Sequence, residues 1–471
     1  MCYVRTVVLA AAIAWAKAAD WPAFRGLNSA GVAETTGLPL EFGPSRNVVW
    51  KTALPPGASS PTIAGERVFL TAYEGRSALT IALDRKSGKI LWRRAVERGR
   101  EEALHKLNNP ASPTAASDGK SIFVFFGDFG LVSYGLDGNE RWRLPLGPFQ
   151  NLHGMASSPL LLGDRLYMLC DQDRPSFLIA VHKDTGKVLW KIERPEAVHG
   201  FTTPVVFRPR GGAPQLIIPG SYFLAAYSPE TGEKLWWARG LTWQIKTTAV
   251  VDDETVYATG WAPGADAGER KELPPFEEAL AEGDADGDNK LAPAEVPPRL
   301  RHTGSWTAID LNRDGFLDAR DWSFYRARRA SHNVTMAVRP GNARGDLTNS
   351  HVVWTNERSV PQVSSPLLYR GALYTAKDGG IFTALDAATG EIKKQARLTG
   401  AIDAYYSSPV AADGRIYVIS ENGKASVIRA GAEWELLQVN DLEDRVYATP
   451  ALADGRIYVR TMSALYCFGE N

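Results

Sequence analysis

Twelve residues, DADGDNKLAPAE (284–295), set carboxylates at the first, third, fifth and twelfth positions: Asp284, Asp286, Asp288 and Glu295. The backbone carbonyl of Lys290 stands at the seventh. Oxygen atoms at this spacing wrap a hard divalent cation, and a glutamate at the twelfth position can offer both of its oxygens. The sixth position needs a positive φ. Asn289 stands there, and asparagine tolerates that conformation better than most residues. A second stretch, DLNRDGFLDARD (310–321), repeats the arrangement with Asp310, Asn312 and Asp314, then Gly315, the Phe316 carbonyl, Asp318 at the ninth place and Asp321 at the twelfth. The shorter Asp321 is expected to hold an ion through one oxygen and more weakly. So many protein oxygens predict calcium rather than magnesium. Acidic, solvated turns with chance spacing are the alternative.

Something must hold these loops, and the rest of the chain reads as strands and turns. A small-small-Pro start, an alternating strand, a turn, a second strand and a closing Gly-x-x-Leu-Trp recur. Compare SSPTIAGERVFLTA with IALDRKSGKILW (59–92) and SSPLLLGDRLYMLC with IAVHKDTGKVLW (157–190). The motif prolines are Pro61, Pro113, Pro159, Pro204, Pro366, Pro409 and Pro450, with Ala249 in the same register. Eight starts imply eight units, each of about four short strands bounded by Gly, Asp and Pro turns, which predicts an all-β, eight-bladed β-propeller. The last unit shows three strands, and NVVWKTAL (47–54) is expected to supply the fourth and close the ring. Trp50, Trp92, Trp142, Trp190, Trp236, Trp354 and Trp434 are read as fourth-strand residues packed between blades. Blade six departs from this with EIKKQA.

Ala249 and Pro366 lie 117 positions apart, where a blade needs about 45, so roughly 70 residues are inserted. The expected organisation is a signal peptide over 1–18, an N-terminal segment over 19–46, and the propeller over 47–261 and 332–471. A small α-helical insertion carrying both acidic loops occupies 262–331, between the second and third strands of blade five. Pro293, Pro297 and Pro298 should keep its helices short. The loop entering a first strand and the loop between strands two and three emerge at one end of a blade, so the insertion shares a face with the blade-to-blade connections.

Those connections carry His153, His199, Trp243, Gln244, Lys246, Tyr405 and Arg445, together with His105, Asn108, Asn109, Gln362, Asp403 and Asp444. The first seven are the expected lining of a ligand pocket at the mouth of the central channel, with Trp243 as a stacking platform. The alternative is that connecting loops are polar because they meet water. Asp128, Asp171, Lys377 and Asp378, in the loops between strands two and three, are left outside that pocket.

Composition sets the address. With 53 basic and 53 acidic residues the net charge is zero, so the overall field does not argue for nucleic acid or anionic lipid as a partner. MCYVR, the apolar run TVVLAAAIAWA and small residues around a cut after about Ala18 read as a secretory signal, which would remove Cys2. No other stretch is apolar for the length a bilayer requires. Cys170 and Cys467 lie in apolar strand patterns and read as buried packing rather than a disulfide framework. HExxH, GxSxG and GxxxxGK[ST] are absent.

The closings SGKILW (87–92), TGKVLW (185–190) and TGEKLW (231–236) resemble the tryptophan-docked, PQQ-repeat propeller family, from about residue 47 to 469 apart from the insertion. The two acidic loops resemble an EF-hand pair with truncated, dockerin-like helices. DWPAFRG (20–26) resembles a leader found on exported bacterial members. The family includes quinoprotein dehydrogenases and a non-enzymatic outer-membrane assembly scaffold, so fold alone leaves function open. The expectation is a periplasmic or secreted, monomeric, calcium-binding propeller acting as a non-enzymatic binding or scaffold protein for a protein, peptide or glycan. The alternative is a PQQ-dependent dehydrogenase. The adjacent-cysteine disulfide that the resemblance implies for the alcohol dehydrogenases is missing here, as is a CxxCH haem attachment.

Overall fold

A computed structural model describes residues 20–151, 153–173 and 175–470. The expected signal peptide and Cys2 lie outside them. The strands form eight sheets around an axis, each with four antiparallel strands in chain order except where the chain ends meet and where Gly345–Asp346, from the connection between the last two strands of blade five, adds a parallel fifth strand to blade four. In blade one the order is β1 (Thr62–Ala64), β2 (Arg67–Glu74), β3 (Ser77–Asp84) and β4 (Ile90–Glu97). Middle strands are covered on both faces and read as unbroken apolar runs, such as SIFVFF (121–126). Outer strands alternate: along β4, Trp92 and Val96 are buried while Leu91 and Arg93 face solvent. The last blade is completed by Val48–Ala53, which pairs antiparallel with Ala464–Phe468 from Val48↔Phe468 to Ala53↔Ala464. The expected closure by an N-terminal strand is thus present.

Most of the repeated tryptophans dock forward onto the next blade. The indole N–H of Trp50, Trp92, Trp142, Trp190 and Trp354 donates to a carbonyl in the next blade's last hairpin: Arg85, Leu136, Lys183, Pro229 and Ala387, at 2.6 to 3.1 Å. The hairpin glycine lies against the ring. At Gly186, φ is +71° and an added Cβ would come within 2.8 Å of Trp142. Trp236 differs, donating to Gln215 Oε1 at 2.7 Å.

Trp434 corrects the sequence reading. It lies in the hairpin before its blade's fourth strand, Glu435–Asp441, and Gln438 occupies the docking register opposite Val427. Lys394 stands at the tryptophan register of blade six, opposite Ala384. Its Nζ donates forward to Trp434 O at 2.7 Å and sits 4.8 Å from the indole, so at this joint blade six still supplies the donor while blade seven supplies the ring.

The segment DWPAFRG and its continuation cross the end of the channel remote from the blade connections. Trp21 bridges Ile63, Pro22 O accepts from Ser117 N, Asn28 exchanges two bonds with Val206, and Val32 bridges Ala411. Blades one, two, four and seven are thereby strapped together. In blade five, the chain between Val256–Gly260 and Val334–Val338 carries α1 (Phe276–Gly283) and α2 (Ala319–Ala330). A core of its own, including Leu291, Leu300, Leu317, Trp322 and Tyr325, holds this insertion together.

Candidate functional site

The small-small-Pro turn does more than begin a strand. Two residues before each first strand stands a hydroxyl, and it accepts the backbone N–H of the equivalent residue one blade earlier. Ser60 N donates to Thr114 Oγ1, Thr114 N to Ser158 Oγ, Ser158 N to Thr203 Oγ1, and Thr203 N to Thr248 Oγ1. Thr248 N then donates to Ser365 Oγ, Ser365 N to Ser408 Oγ, Ser408 N to Thr449 Oγ1, and Thr449 N back to Ser60 Oγ. All eight bonds are 2.9 to 3.2 Å long, and the circle is closed. In blade two the register differs from the sequence reading. Ala116 pairs with Phe123 as Thr62 does with Phe69, so Ala115 takes the place of the motif proline and Pro113 falls two residues earlier.

This ring walls a cavity of about 310 Å³ on the propeller axis. Trp21 bridges Ile63, three residues beyond Ser60 along the strand, so the leader lies below the ring and Phe24 forms the floor. The connections lie on the other side, where His105, Asn108, His153 and Lys246 reach the cavity. His105 and His153 stack at 4.9 Å, and Asn108 Nδ2 donates to His153 O at 2.8 Å. Burial first, then the neighbouring His105 and Lys246, pushes the His153 imidazole down to about 4. Lys246 Nζ donates to Trp261 O at 3.0 Å and lies 5.2 Å from that indole. Dense packing around its ammonium lowers it to about 7, against the opposing pull of Asp378.

Of the seven expected pocket residues, His153 and Lys246 therefore reach the channel. His199, Trp243, Gln244 and Tyr405 do not, since each is at most 2 % exposed and buried within the blades. Arg445 lies on the rim, its side chain 3.1 Å from Glu421. Tyr406 and Tyr447 line the cavity instead. Both stand two residues before a ring hydroxyl, a register the motif itself could have supplied.

Trp243 and His199 are covered by the insertion. The Arg328 guanidinium, from α2, lies 3.9 Å above the Trp243 ring, which meets His199 edge to face at 5.5 Å. Arg313 approaches Asp173 at 3.3 Å, and Asp173 in turn lies 2.8 Å from His199 Nδ1. Arg320 donates to Pro195 O, and Tyr222 OH to Phe324 O. The insertion is seated on blades three and four.

Within it, the two acidic loops sit back to back, joined by reciprocal backbone bonds between Leu291 and Leu317 at 3.1 and 2.9 Å. In the first loop, Asn289 has φ 64° and Asp284 accepts from the N–H groups of Gly287 and Asn289. Glu295 accepts from Ala285 and Ala292, and ligating atoms of Asp284, Asp286 and Glu295 come within 4.8 Å of one another. In the second loop, Gly315 has φ 91° and donates to Asp310 Oδ2 at 2.9 Å. Asp310 Oδ1 is buried with no hydrogen-bond partner. Lys290 Nζ of the first loop lies 2.9 Å from Asp314 Oδ2. A buried carboxylate oxygen without a donor, on a turn that gathers further oxygens, fits a hard cation.

The sequence model described as outer membrane protein assembly factor BamB matches residues 43–206 and 329–470, more than half of the chain. The chain belongs to that family. Its BamB-family repeats are interrupted, in that match, across blade four and the insertion. Three solved structures share the fold. BamB from Moraxella catarrhalis is 12 % identical, over 90 % of this chain and 98 % of that one, with a TM-score of 0.56. The computationally designed Ika8 protein is 9 % identical over 90 % and 100 %, at 0.57. A europium-containing methanol dehydrogenase is 10 % identical over 96 % and 98 %, at 0.56. No curated protein matches. Identities this low establish the propeller and nothing finer.

A redox quinone does not fit the BamB-family cavity seen here. Among the described residues no carboxylate lines it to serve as a base, and the indole expected to stack, Trp243, is covered by Arg328. No reaction step is derived through such a group.

Proposed function

We propose that this protein is an exported, calcium-binding propeller that acts as a non-enzymatic binding or scaffold protein in the cell envelope or outside it. Membership of a family named for an outer-membrane assembly factor supports the scaffold reading. Support for the metal comes from one observation, the buried and unpartnered Asp310 Oδ1. Asp284, Asp286, Asp288, the Lys290 carbonyl and Glu295 would hold one ion. Asp310, Asn312, Asp314, the Phe316 carbonyl, Asp318 and Asp321 would hold the second. When bound, calcium neutralises clustered carboxylates whose repulsion opposes the compact insertion. The insertion is seated on the same face as the blade connections, so the metal stiffens part of the surface offered to a protein, peptide or glycan partner.

The test is a thermal melt of the mature chain with calcium or chelator, each with and without PQQ. A ligand at 100 times its Kd stabilises by about 2.7 kcal/mol, enough to move a melting transition measurably. A calcium-dependent rise with no response to PQQ is expected. A PQQ-dependent rise would replace the scaffold reading with the dehydrogenase, and silence at millimolar calcium would remove the metal.

A further inference from the structure

The channel cavity has a chemistry that neither the scaffold reading nor the metal loops require. Each ring hydroxyl accepts one peptide N–H, and its own O–H finds no acceptor among the described residues, although each of the eight residues is at most 4 % exposed. Buried donors are rarely left without an acceptor, and a hydroxyl already accepting a bond is polarised to donate. The ring therefore aims donors from every blade into one enclosed volume. Lys246 stands at its rim, and no carboxylate lines it among the described residues.

The tier of residues two places before the ring gives the cavity a shape. Blades one to three contribute Ala58, Ser112 and Ala156, whereas blades four, seven and eight contribute Phe201, Tyr406 and Tyr447. The open half thus lies over blades one to three; across the axis stand Lys246, Val363 and Tyr406 of blades five, six and seven, with Phe201 and Tyr447 flanking the open side. Phe24 closes the floor, so access is from the mouth beneath His105 and His153.

We propose that this blind cavity binds a small organic oxyanion, with its charged oxygens on the hydroxyl ring and Lys246 and its body over the small residues of blades one to three. A volume of about 310 Å³ is at the lower end of ligand pockets and limits the size of that body. A carboxylate and a phosphate ester share the required chemistry. The proposal is independent of calcium and of any macromolecular partner. The charged or titratable groups facing Lys246 are Asp378, which favours its ammonium, and His153. An anion placed against Lys246 restores a charge that burial suppresses, so binding takes up a proton and weakens above neutral pH.

The experiment is calorimetric titration of the full chain with malonate and with methyl phosphate at pH 6 and pH 9, using glucose and chloride as comparators. At least one oxyanion should bind saturably, and at least about tenfold more weakly at pH 9 and in Lys246→Met. Binding should be lost in Ala156→Trp, which fills the open half. The tighter of the two oxyanions identifies a carboxylate or a phosphate ester as the ligand. Circular dichroism checks the variants, and Lys246→Met decides alone if Ala156→Trp does not fold. No saturable heat with either oxyanion, an equal response to glucose or chloride, or binding unchanged in the folded variants would overturn the proposal.

Discussion

At Asp310 one carboxylate oxygen is held by the Gly315 N–H and the other is buried with nothing to accept from. An asparagine keeps the size and loses the charge. Asp310→Asn is therefore expected to abolish uptake at the second loop while the first still binds, and Glu295→Gln should do the converse. Calcium titration of each variant reads this as one ion bound in place of two. His153 gives a pH signature at the same scale. Its folded pKa of about 4 lies below the ordinary histidine value of 6.5. The unfolded chain thus takes up the proton first, and stability falls as pH drops from about 6.5 to 4, then levels. A shift of this size is worth at most about 3 kcal/mol, and the partial exposure of the ring reduces it to about 1–2 kcal/mol. His153→Gln should flatten the urea midpoint across that window.

At the scale of elements, the joint between neighbouring blades is an indole on a glycine. Trp142→Ala should cost about 3–5 kcal/mol in urea unfolding. Gly186→Ala adds a Cβ in a left-handed backbone, about 1–2 kcal/mol, and drives it into the indole. Once Trp142 is truncated only the backbone part remains, so the two losses should sum to less than additive. These joints were legible because tryptophan and glycine recur at fixed spacing. Trp434 was misread because a tryptophan near a fourth strand looks the same whether it lies in the strand or in the hairpin before it. Lys394 and Gln438 at the docking register were the available clue. The channel was half legible. His153 and Lys246 sit in the connections as expected, but Tyr405 was chosen where its neighbour Tyr406 faces inward, since only side-chain direction separates them. That the insertion would cover Trp243, or that Phe24 would reach the axis from the far side, depends on contacts between segments far apart in sequence, which spacing does not encode.

At the scale of the molecule, blade eight is the one blade assembled from both ends of the propeller, and its joint to blade one holds a buried arginine. The Arg460 guanidinium donates to Ser59 Oγ at 2.9 Å, Thr71 O at 2.5 Å and Pro55 O at 3.2 Å, with burial lowering it to about 9. Arg460→Met strands these acceptors, and each buried group left unsatisfied costs about 1–3 kcal/mol. Its chemical-denaturation midpoint should fall further than that of Arg429→Met, whose guanidinium sits on the surface beside Glu435.

The pairing of Val48 with Phe468 places the two ends of the seam side by side. A load applied between residues 47 and 469 therefore pulls on the first rung of that ladder rather than on all rungs together. Under tension the ring opens as a zipper does, one rung at a time from a known end. A pull along the strands, applied through a turn on the opposite side, has to break many rungs at once. The same closure that resists heat is soft in one direction of force.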